Sequence, residues 1–211
     1  MNRPHPLLIA LFAGISMNAA IAETLGFDKH PTGVAPAGWR TGVTGKGNPK
    51  WTVEADATAP SKPNVLKQAG SGTFPWCVRP ETSLADGYVE VKFKPLSGNE
   101  DQAGGIVWRW QGGDDYYVAR ANALENNVSL YYTVNGRRNT LKYVSALVPR
   151  NEWHTLRVEF AGKHIKVILN GKPYIEIDDD HIARAGAVGV WTKADSVTLF
   201  DDFSYGTSDG K

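Results

Sequence analysis

Short runs of alternating apolar and polar residues, separated by turn residues, occupy most of this chain. The run Tyr88-Val-Glu-Val-Lys-Phe-Lys94 is typical, with its valines and phenylalanine at every second position. Successive side chains of a strand point to opposite faces, so this period favours strands with one buried face. Asn135-Gly136 and Asn170-Gly171 indicate tight hairpins, because a type I′ turn needs two positive φ angles. With almost no helical period, the pattern predicts an all-β fold, a two-sheet antiparallel jelly-roll sandwich.

The beginning of the chain is less regular than the rest. Residues 23–49 are rich in glycine and proline and have no clear period, so we expect an irregular entry with at most one short strand. Alternation predicts strands at 50–54 and 64–68. A short helix over 180–185 is the only helix that the sequence favours.

One predicted hairpin, Gly104 to Arg120, carries many aromatic and basic residues around a turn at 112–115. Strict period 2 sends Ile106, Trp108 and Trp110 into the core and Arg109 to the opposite face, a candidate binding surface. The register stays open. A two- or four-residue turn pairs Arg109 with Tyr116 or Val118, and an odd turn pairs it with Tyr117. An alternative is that the tryptophans fill the sandwich and Arg109 is solvated or ion-paired.

Residues 1–22 have the pattern of a cleavable secretory signal peptide. Arg3 precedes a short apolar run from Leu7 to Ala13, and Ala20-Ile-Ala22 provides a cleavage site. We therefore expect a secreted or periplasmic protein whose mature part, 23–211, is a single β-sandwich domain. No run of the sequence approaches the roughly 20 apolar residues of a membrane span.

Charge and cysteine content exclude several classes of function. Without Arg3 the mature chain has 22 basic and 22 acidic residues, so no excess charge favours nucleic acid. The single cysteine, Cys77, allows no intramolecular disulfide and is interpreted as a buried thiol. The histidines of the mature part, His30, His154, His164 and His181, lack paired metal-binding spacing. Of these, His154 and His164 could meet across the turn between their strands, but they are interpreted as surface or rim residues.

The order of several weak motifs identifies a family resemblance. The motifs are Trp153-His-Thr-Leu-Arg-Val158, Asn170-Gly171, Gly186-Ala-Val-Gly-Val190 and Phe200-Asp-Asp-Phe203. In this order they resemble the concanavalin A-like lectin/glucanase superfamily, in the branch that includes laminin-G-like modules and 3-keto-disaccharide hydrolase domains. The resemblance implies two curved sheets with a carbohydrate site on the concave sheet. It also gives Arg109 a ligand role, and it places Tyr117 where the pattern has an acidic residue.

Acid/base and metal candidates are few. A retaining glycosidase needs two carboxyl groups about 5 to 5.5 Å apart. The string Glu176-Ile-Asp-Asp-Asp180 offers such groups at one parity, but a structural role is favoured. Glu90 and Glu176 are therefore only weak catalytic candidates. Asp201 and Asp202 are weak ligands for a structural Ca²⁺, with solvated acids as the alternative; no other cofactor is expected.

Carbohydrate is the partner that the composition and the resemblance favour. Sugar sites combine aromatic faces with planar polar groups, and the chain has 7 Trp, 8 Tyr and 7 Phe. The leading hypothesis is an exported, carbohydrate-active hydrolase of the 3-keto-disaccharide type acting at the concave sheet. The alternatives are a non-catalytic carbohydrate-binding module and a laminin-G-like interaction module. The predicted ligand-binding residues are Arg109, Gln111, Tyr117, Tyr131, Lys142, Trp76, Arg79, Trp191 and Lys193.

Overall fold

The computed structural model describes residues 23–207, which form strands and connecting loops. The predicted signal peptide lies outside these residues. The strands are β1 (Glu23–Leu25), β2 (Arg40–Asn48), β3 (Trp51–Ala55), β4 (Asn64–Gln68), β5 (Ser71–Leu84), β6 (Gly87–Ser97), β7 (Ala103–Trp110), β8 (Tyr116–Asn122), β9 (Asn127–Val134), β10 (Arg137–Ser145), β11 (His154–Ala161), β12 (His164–Leu169), β13 (Lys172–Asp178), β14 (Gly186–Trp191) and β15 (Val197–Gly206).

The strands form two antiparallel sheets, which confirms the predicted all-β sandwich. One sheet has eight strands in the order β13-β12-β11-β6-β15-β4-β3, with β1 also paired to β15. The other has seven, in the order β10-β9-β8-β7-β14-β5-β2. Both Asn-Gly hairpins are present: Val134 pairs with Arg137 across one, and Leu169 pairs with Lys172 across the other. The order of strands is far from sequential because the connections cross between sheets.

The main core lies between the two sheets and is built from alternate residues of neighbouring strands. Strands β6 and β11 each contribute the apolar residues at every second position. Across this pair of strands, Val89 pairs with Val158 and Val91 with Leu156. Cys77 belongs to this core, where burial raises the pKa of its thiol, as expected for a structural cysteine. No helix among residues 23–207 is long and apolar enough to cross a membrane.

Two local predictions are wrong. The glycine-rich entry contains the nine-residue strand β2, where Gly42 lies under the ring of Trp76; a β-carbon there would come within 2.4 Å of that ring. The glycine therefore serves packing in a strand. The segment 180–185 is not helical, because side chains elsewhere bind its backbone: Arg109 donates to the Ile182 carbonyl, and Gln111 to the carbonyl of Ala185.

A bulge in β7 breaks the predicted alternation of the hairpin. The register between β7 and β14 shifts after the pair Gly189 and Val107, and Arg109 has a φ of 47°. Ile106 and Trp108 lie in the main core as predicted, and Trp108 pairs with Tyr117. Beyond the bulge the parity reverses. Trp110 therefore lies on the outer face of the seven-stranded sheet, and its assignment to the main core is wrong.

Candidate functional site

The outer face of the seven-stranded sheet, the face turned away from the other sheet, holds a second cluster of buried side chains. Its aromatic members are Trp76, Trp110, Tyr116, Tyr131 and Trp191, with Phe74 packed against them. They come from alternate positions of β5, β7, β8, β9 and β14. Trp76 and Trp110 meet edge to face with ring centroids 5.1 Å apart, and Phe74 stacks on Trp191 at 5.7 Å.

The sheet closes over this cluster at one side. The hydroxyl of Thr44 on β2 bonds to Tyr116 at 2.9 Å and to the carbonyl of Gly113 in the β7–β8 turn. Trp76, Tyr131 and Trp191 therefore lie on the predicted face, but their rings are at most 5% exposed. The cluster forms the floor and wall of a site. Its buried rings do not form an open platform on which a sugar could stack.

A cleft of ≈ 580 Å³ opens beside the cluster; we call it the Arg138 cleft. It is lined by Lys46, Gly47, Ser71, Gly72, Thr73, Phe74, Glu100, Arg138, Lys193 and Ala194. The guanidinium of Arg138 lies 4.3 Å from the ring centre of Tyr131 and 4.7 Å from that of Phe74. Burial among these rings lowers the pKa of Arg138, although an arginine stays charged at neutral pH. Its Nη1 is buried and has no hydrogen-bond partner among the described residues.

A buried ionic network adjoins the cleft. Asp101 is fully buried and accepts hydrogen bonds from Arg120 Nη1 at 3.0 Å, from Asn122 and from Lys193. Arg120 also pairs with Glu125, which bonds to Asn127 as well. Burial raises the pKa of Glu125, but Asn127 and the cations Arg120 and Lys193 lower it by more, so the carboxyl stays ionised. Lys193 belongs to both the network and the cleft.

Asp195 fixes the loop that carries Glu100 and Asp101. Its carboxylate accepts the backbone N–H groups of Asn99 at 2.6 Å, Glu100 at 3.0 Å and Asp101 at 3.1 Å. Three backbone donors on one carboxylate define the loop conformation. Burial raises the pKa of Asp195, but these hydrogen bonds to its ionised form lower it by more.

Arg109 is not on the binding face. Because of the bulge, its side chain points inward and is 1% exposed. It donates to the carbonyl oxygens of Ala85 (2.8 and 3.0 Å), Gly162 (2.7 Å) and Ile182 (2.8 Å). The predicted ligand role is wrong for this geometry, since these hydrogen bonds of the guanidinium all go to loop carbonyls of the protein itself.

Tyr117 also points inward, so its predicted place on the binding face is wrong. Its ring stacks on Trp108 with centroids 5.2 Å apart, and its hydroxyl donates to Asp179. On β8 the residues that face outward are Tyr116, Val118 and Arg120. Burial raises the pKa of Tyr117, and the bond to Asp179 raises it further.

Three other predicted ligand residues lie apart from the Arg138 cleft. Arg79 packs over Trp39 at 5.9 Å, at an inward-facing position of β5. Gln111 donates to backbone carbonyls of the 184–185 segment. Lys142 is exposed on the edge strand β10, opposite the core residue Leu130. Lys193 is the one predicted basic residue that the structure places in the cleft.

Glu90 and Glu176 lie on the outer face of the eight-stranded sheet, so their predicted role at the concave face is wrong. Glu90 is 3.5 Å from Arg157, and Glu176 is 3.2 Å from His164. A cleft of ≈ 590 Å³ is present here, lined in part by Arg157, His164 and Glu176. Its arginine is fully engaged, because Arg157 stacks on Tyr88 and pairs with Glu90 and Glu159.

Asp201 and Asp202 do not fit a Ca²⁺ site. Asp201 is buried and accepts the N–H and hydroxyl of Ser61, both at 2.8 Å, whereas Asp202 points outward to Lys92 at 2.7 Å. Burial raises the pKa of Asp201, which disfavours an ionised ligand. Within residues 23–207 no three His, Cys, Asp or Glu side chains are grouped to hold a metal.

One histidine also departs from the prediction. His154 is buried, with Nε2 2.8 Å from the Pro149 carbonyl and Nδ1 3.1 Å from Asn170, so it is a structural residue rather than a rim residue.

Four residues that build the cleft and its network were not predicted from the sequence: Asp101, Arg120, Glu125 and Arg138. A signal was present for Arg120, which has the same parity as Tyr116 and Val118 on β8. Arg138 lies two residues after the Asn135-Gly136 turn, but no local feature of the sequence indicates that β10 curls toward Phe74.

Comparison with known proteins places this geometry in context. The profile of a family described as 3-keto-alpha-glucoside-1,2-lyase-like domain matches residues 27–203. No curated protein sequence matches the chain.

Solved structures share the fold at low sequence identity. A carbohydrate binding module, CBM66, from Bacillus subtilis has a TM-score of 0.68 and 17% identity, covering 84% of this chain and 99% of its own. A beta-1,3-1,4-glucanase (lichenase) from a mouse hindgut metagenome has a TM-score of 0.58 and 15% identity, with coverages of 88% and 98%. A Bacillus licheniformis beta-glucanase has a TM-score of 0.53 and 15% identity, with coverages of 91% and 99%.

Proposed function

The chain belongs to the 3-keto-alpha-glucoside-1,2-lyase-like domain family, and from this membership we propose that it binds a carbohydrate in the Arg138 cleft. The resemblance inferred from the order of the sequence motifs is confirmed. The fold is that of the glucanases and of the carbohydrate binding module, so the outer face of one curved sheet is a natural place for a saccharide.

The position of Arg138 carries the proposal. Its side chain lines the cleft, and its guanidinium is held between the rings of Phe74 and Tyr131. A guanidinium fixed in this way is preorganised to donate hydrogen bonds to a ligand. Two adjacent hydroxyls of a sugar match the fork of a guanidinium, and Phe74 offers a half-buried ring for the apolar face of a pyranose.

The other polar groups of the cleft suit the same ligand. Glu100 and Lys193 line it, one supplying an acceptor and the other a donor. Asp101 holds Lys193 in place from below, and Asp195 holds the loop of Glu100. A few fixed polar groups beside an apolar wall are what sugar recognition requires.

The larger cleft on the eight-stranded sheet is a weaker candidate. Its arginine, Arg157, already stacks on Tyr88 at 3.9 Å and pairs with two glutamates. A ligand there would have to replace contacts that the protein makes with itself, whereas at Arg138 it adds contacts.

Binding is favoured over hydrolysis at the Arg138 cleft. A glycoside hydrolase needs a carboxylic acid that can donate a proton and a second carboxylate beside it. Glu100 is the carboxyl that lines the cleft, and the two carboxyls beyond it, Asp101 and Glu125, both pair with Arg120. The lowered pKa of Glu125 makes it a poor proton donor at neutral pH.

A titration of saccharides into the protein tests the proposal. The panel consists of α-glucosides, their 3-keto derivatives, β-glucan oligosaccharides and oligosaccharides that contain uronic acids. We expect saturable binding of at least one class, with NMR shift changes at Arg138 and Phe74 and none at Arg157. Absence of binding across the panel, or shift changes only on the eight-stranded sheet, contradicts it.

Export is proposed together with this function. It is supported by Arg3, the apolar run from Leu7 to Ala13 and the small residues Ala20 and Ala22. N-terminal sequencing of the protein expressed in a Gram-negative host should give Glu23 as the first residue of the periplasmic form. An intact N-terminus in the cytoplasmic fraction is the opposing result.

A further inference from the structure

The Arg138 cleft has more basic than acidic side chains in its lining. The basic ones are Lys46, Arg138 and Lys193, and the acidic one is Glu100. Residues 23–211 as a whole contain equal numbers of basic and acidic residues, so this excess is local. A cleft lined mainly by one sign of charge concentrates ligands of the opposite sign. The lining therefore favours a ligand that carries negative charge.

Two other clefts lack this excess when histidine is counted as neutral. The cleft on the eight-stranded sheet has as many acidic as basic residues in its lining: Glu159 and Glu176, Arg157 and Lys166. A smaller cleft of ≈ 290 Å³, beside the segment between β13 and β14, has more acidic than basic residues: Asp115 and Asp180, Arg184. An anionic ligand is thus favoured at the Arg138 cleft over these two places.

The acids behind the Arg138 cleft are already paired. One carboxylate oxygen of Asp101 accepts from Arg120, and the other accepts from Lys193. Glu125 pairs with the second terminal nitrogen of Arg120. Among residues 23–207, by contrast, Arg138 forms no ion pair with a carboxylate. The network therefore balances the charges of Arg120 and Lys193 and leaves that of Arg138 without a counter-ion.

Tyr131 brings two guanidinium groups close together. Arg138 lies 4.3 Å from the centre of its ring, and Arg120 lies 5.7 Å from it. Burial lowers the pKa of Arg138, and the nearby positive charge of Arg120 also lowers it. Because an arginine nevertheless stays protonated, its charge is held at a cost. A negative group bound at Arg138 offsets this cost, since an opposite charge stabilises the protonated guanidinium.

We propose that the saccharide of the Arg138 cleft is acidic, carrying a carboxylate as a uronic acid does. The two oxygens of a carboxylate match the planar fork of Arg138 and accept charge-assisted hydrogen bonds, which are stronger than those of two hydroxyls. With Lys193 paired to Asp101, the charges left at the cleft are those of Lys46, Arg138 and Glu100. They leave one positive charge in excess, which one carboxylate balances.

This inference rests on the proposed function and adds the class of ligand to it. Calorimetric titration of matched saccharides is the test. The probes are the trisaccharides of α-1,4-linked galacturonic acid and of β-1,4-linked glucuronic acid, each beside its methyl ester, in which the carboxyl groups carry no charge. We expect at least one acid to bind at least about tenfold more tightly than its ester, because a hydrogen bond to an ionised group is roughly twice as strong as a neutral one. Arg138→Gln should abolish this preference.

Variants of two exposed residues test the charge of the cleft with little risk to folding. Lys46→Gln should weaken binding of the acid about two- to fivefold, and Glu100→Gln should strengthen it by a similar factor, because exposed charge pairs are worth little each. Lys142→Gln is the matched control. Lys142 is an exposed lysine on β10, the strand that carries Arg138, but it lies outside the cleft, so this variant should bind acid and ester as the wild type does.

The outcomes separate this inference from the proposed function. If an ester or a neutral saccharide binds at Arg138 as tightly as either acid, the acidic ligand is wrong and saccharide binding in the cleft stands. An unchanged preference for the acid in Arg138→Gln, with its fold verified by circular dichroism, also overturns the inference. If no saccharide binds at all, both are wrong.

Discussion

The phenol of Tyr117 donates a hydrogen bond to the carboxylate of Asp179, 62 residues further along the chain. The same hydroxyl accepts the N–H of Ile182 at 3.2 Å. A residue that sequence reasoning places on a ligand-binding face thus joins the seven-stranded sheet to the segment after β13. Together with Arg109, it converts that irregular segment into a fixed part of the fold.

Tyr117→Phe should therefore destabilise the protein. The variant keeps the stacking on Trp108, but it leaves the N–H of Ile182 without its partner and leaves Asp179 Oδ1 with only the N–H of His181. We expect a loss of about 1–2 kcal/mol in the free energy of unfolding, measured by urea denaturation. Tyr88→Phe, on the outer face of the eight-stranded sheet, is the control and should change stability by less than about 0.5 kcal/mol. Equal effects of the two variants would contradict the bracing role.

Arg109→Lys should cost more, about 3 kcal/mol, because a single ammonium cannot reach three separate carbonyl groups. Saccharide affinity of the folded variant should equal that of the wild type, since Arg109 is remote from the Arg138 cleft. Urea denaturation gives the stability and calorimetry the affinity. Arg157→Lys, a partly exposed arginine with ion pairs of its own, serves as control and should lose less than about 1 kcal/mol. A selective loss of affinity in Arg109→Lys would restore the ligand role inferred from the sequence.

Sequence patterns predicted most strands because period 2 reports burial on one face, and the Asn-Gly hairpins because their φ requirements are local. The bulge at Arg109 could not be predicted in this way. A positive φ at an arginine has no composition signal, and one extra residue reverses the parity of everything after it. Strict alternation therefore predicted Trp110 and Arg109 each on the wrong face of the sheet.

The candidate site was predictable only in part. Tyr131 was predicted on this sheet face as one of the alternate strand residues, and Trp76, Trp191 and Lys193 were predicted to reach it from the loop side. The contact between Arg138 and Phe74 depends on how far the sheet curls, which no short segment of sequence encodes. The pairing of Asp101 with Arg120 and Lys193 likewise joins a loop, a strand and a turn that only the fold brings together.

Acid should weaken the loop that Asp195 holds. Because the folded-state pKa of Asp195 lies below 3.8, its bonds contribute stability above that pH and lose it as the pH falls through the folded value. Asp195→Asn should be less stable than the wild type near neutral pH, and the difference should narrow below pH 3.8. Urea denaturation at a series of pH values measures this difference.

The stability difference between the wild type and Asp201→Asn should depend on pH in the opposite direction. Burial raises the folded-state pKa of Asp201, so the ionised group costs stability at neutral pH and the wild type gains stability as the pH falls through that value. The stability advantage of the wild type over Asp201→Asn should therefore grow on acidification. Parallel pH dependences for the two variants would contradict both assignments.

Calorimetric titration of the saccharide that binds best into wild type, Arg138→Ala and Arg157→Ala tests the central claim most directly. Both arginines stack on aromatic rings, but Arg138 alone lines the proposed cleft, and Arg157 lies on the other sheet. The account predicts at least a tenfold weaker affinity for Arg138→Ala, about 1.4 kcal/mol, and no change for Arg157→Ala. Unchanged affinity of a folded Arg138→Ala, or a selective loss in Arg157→Ala, would contradict it.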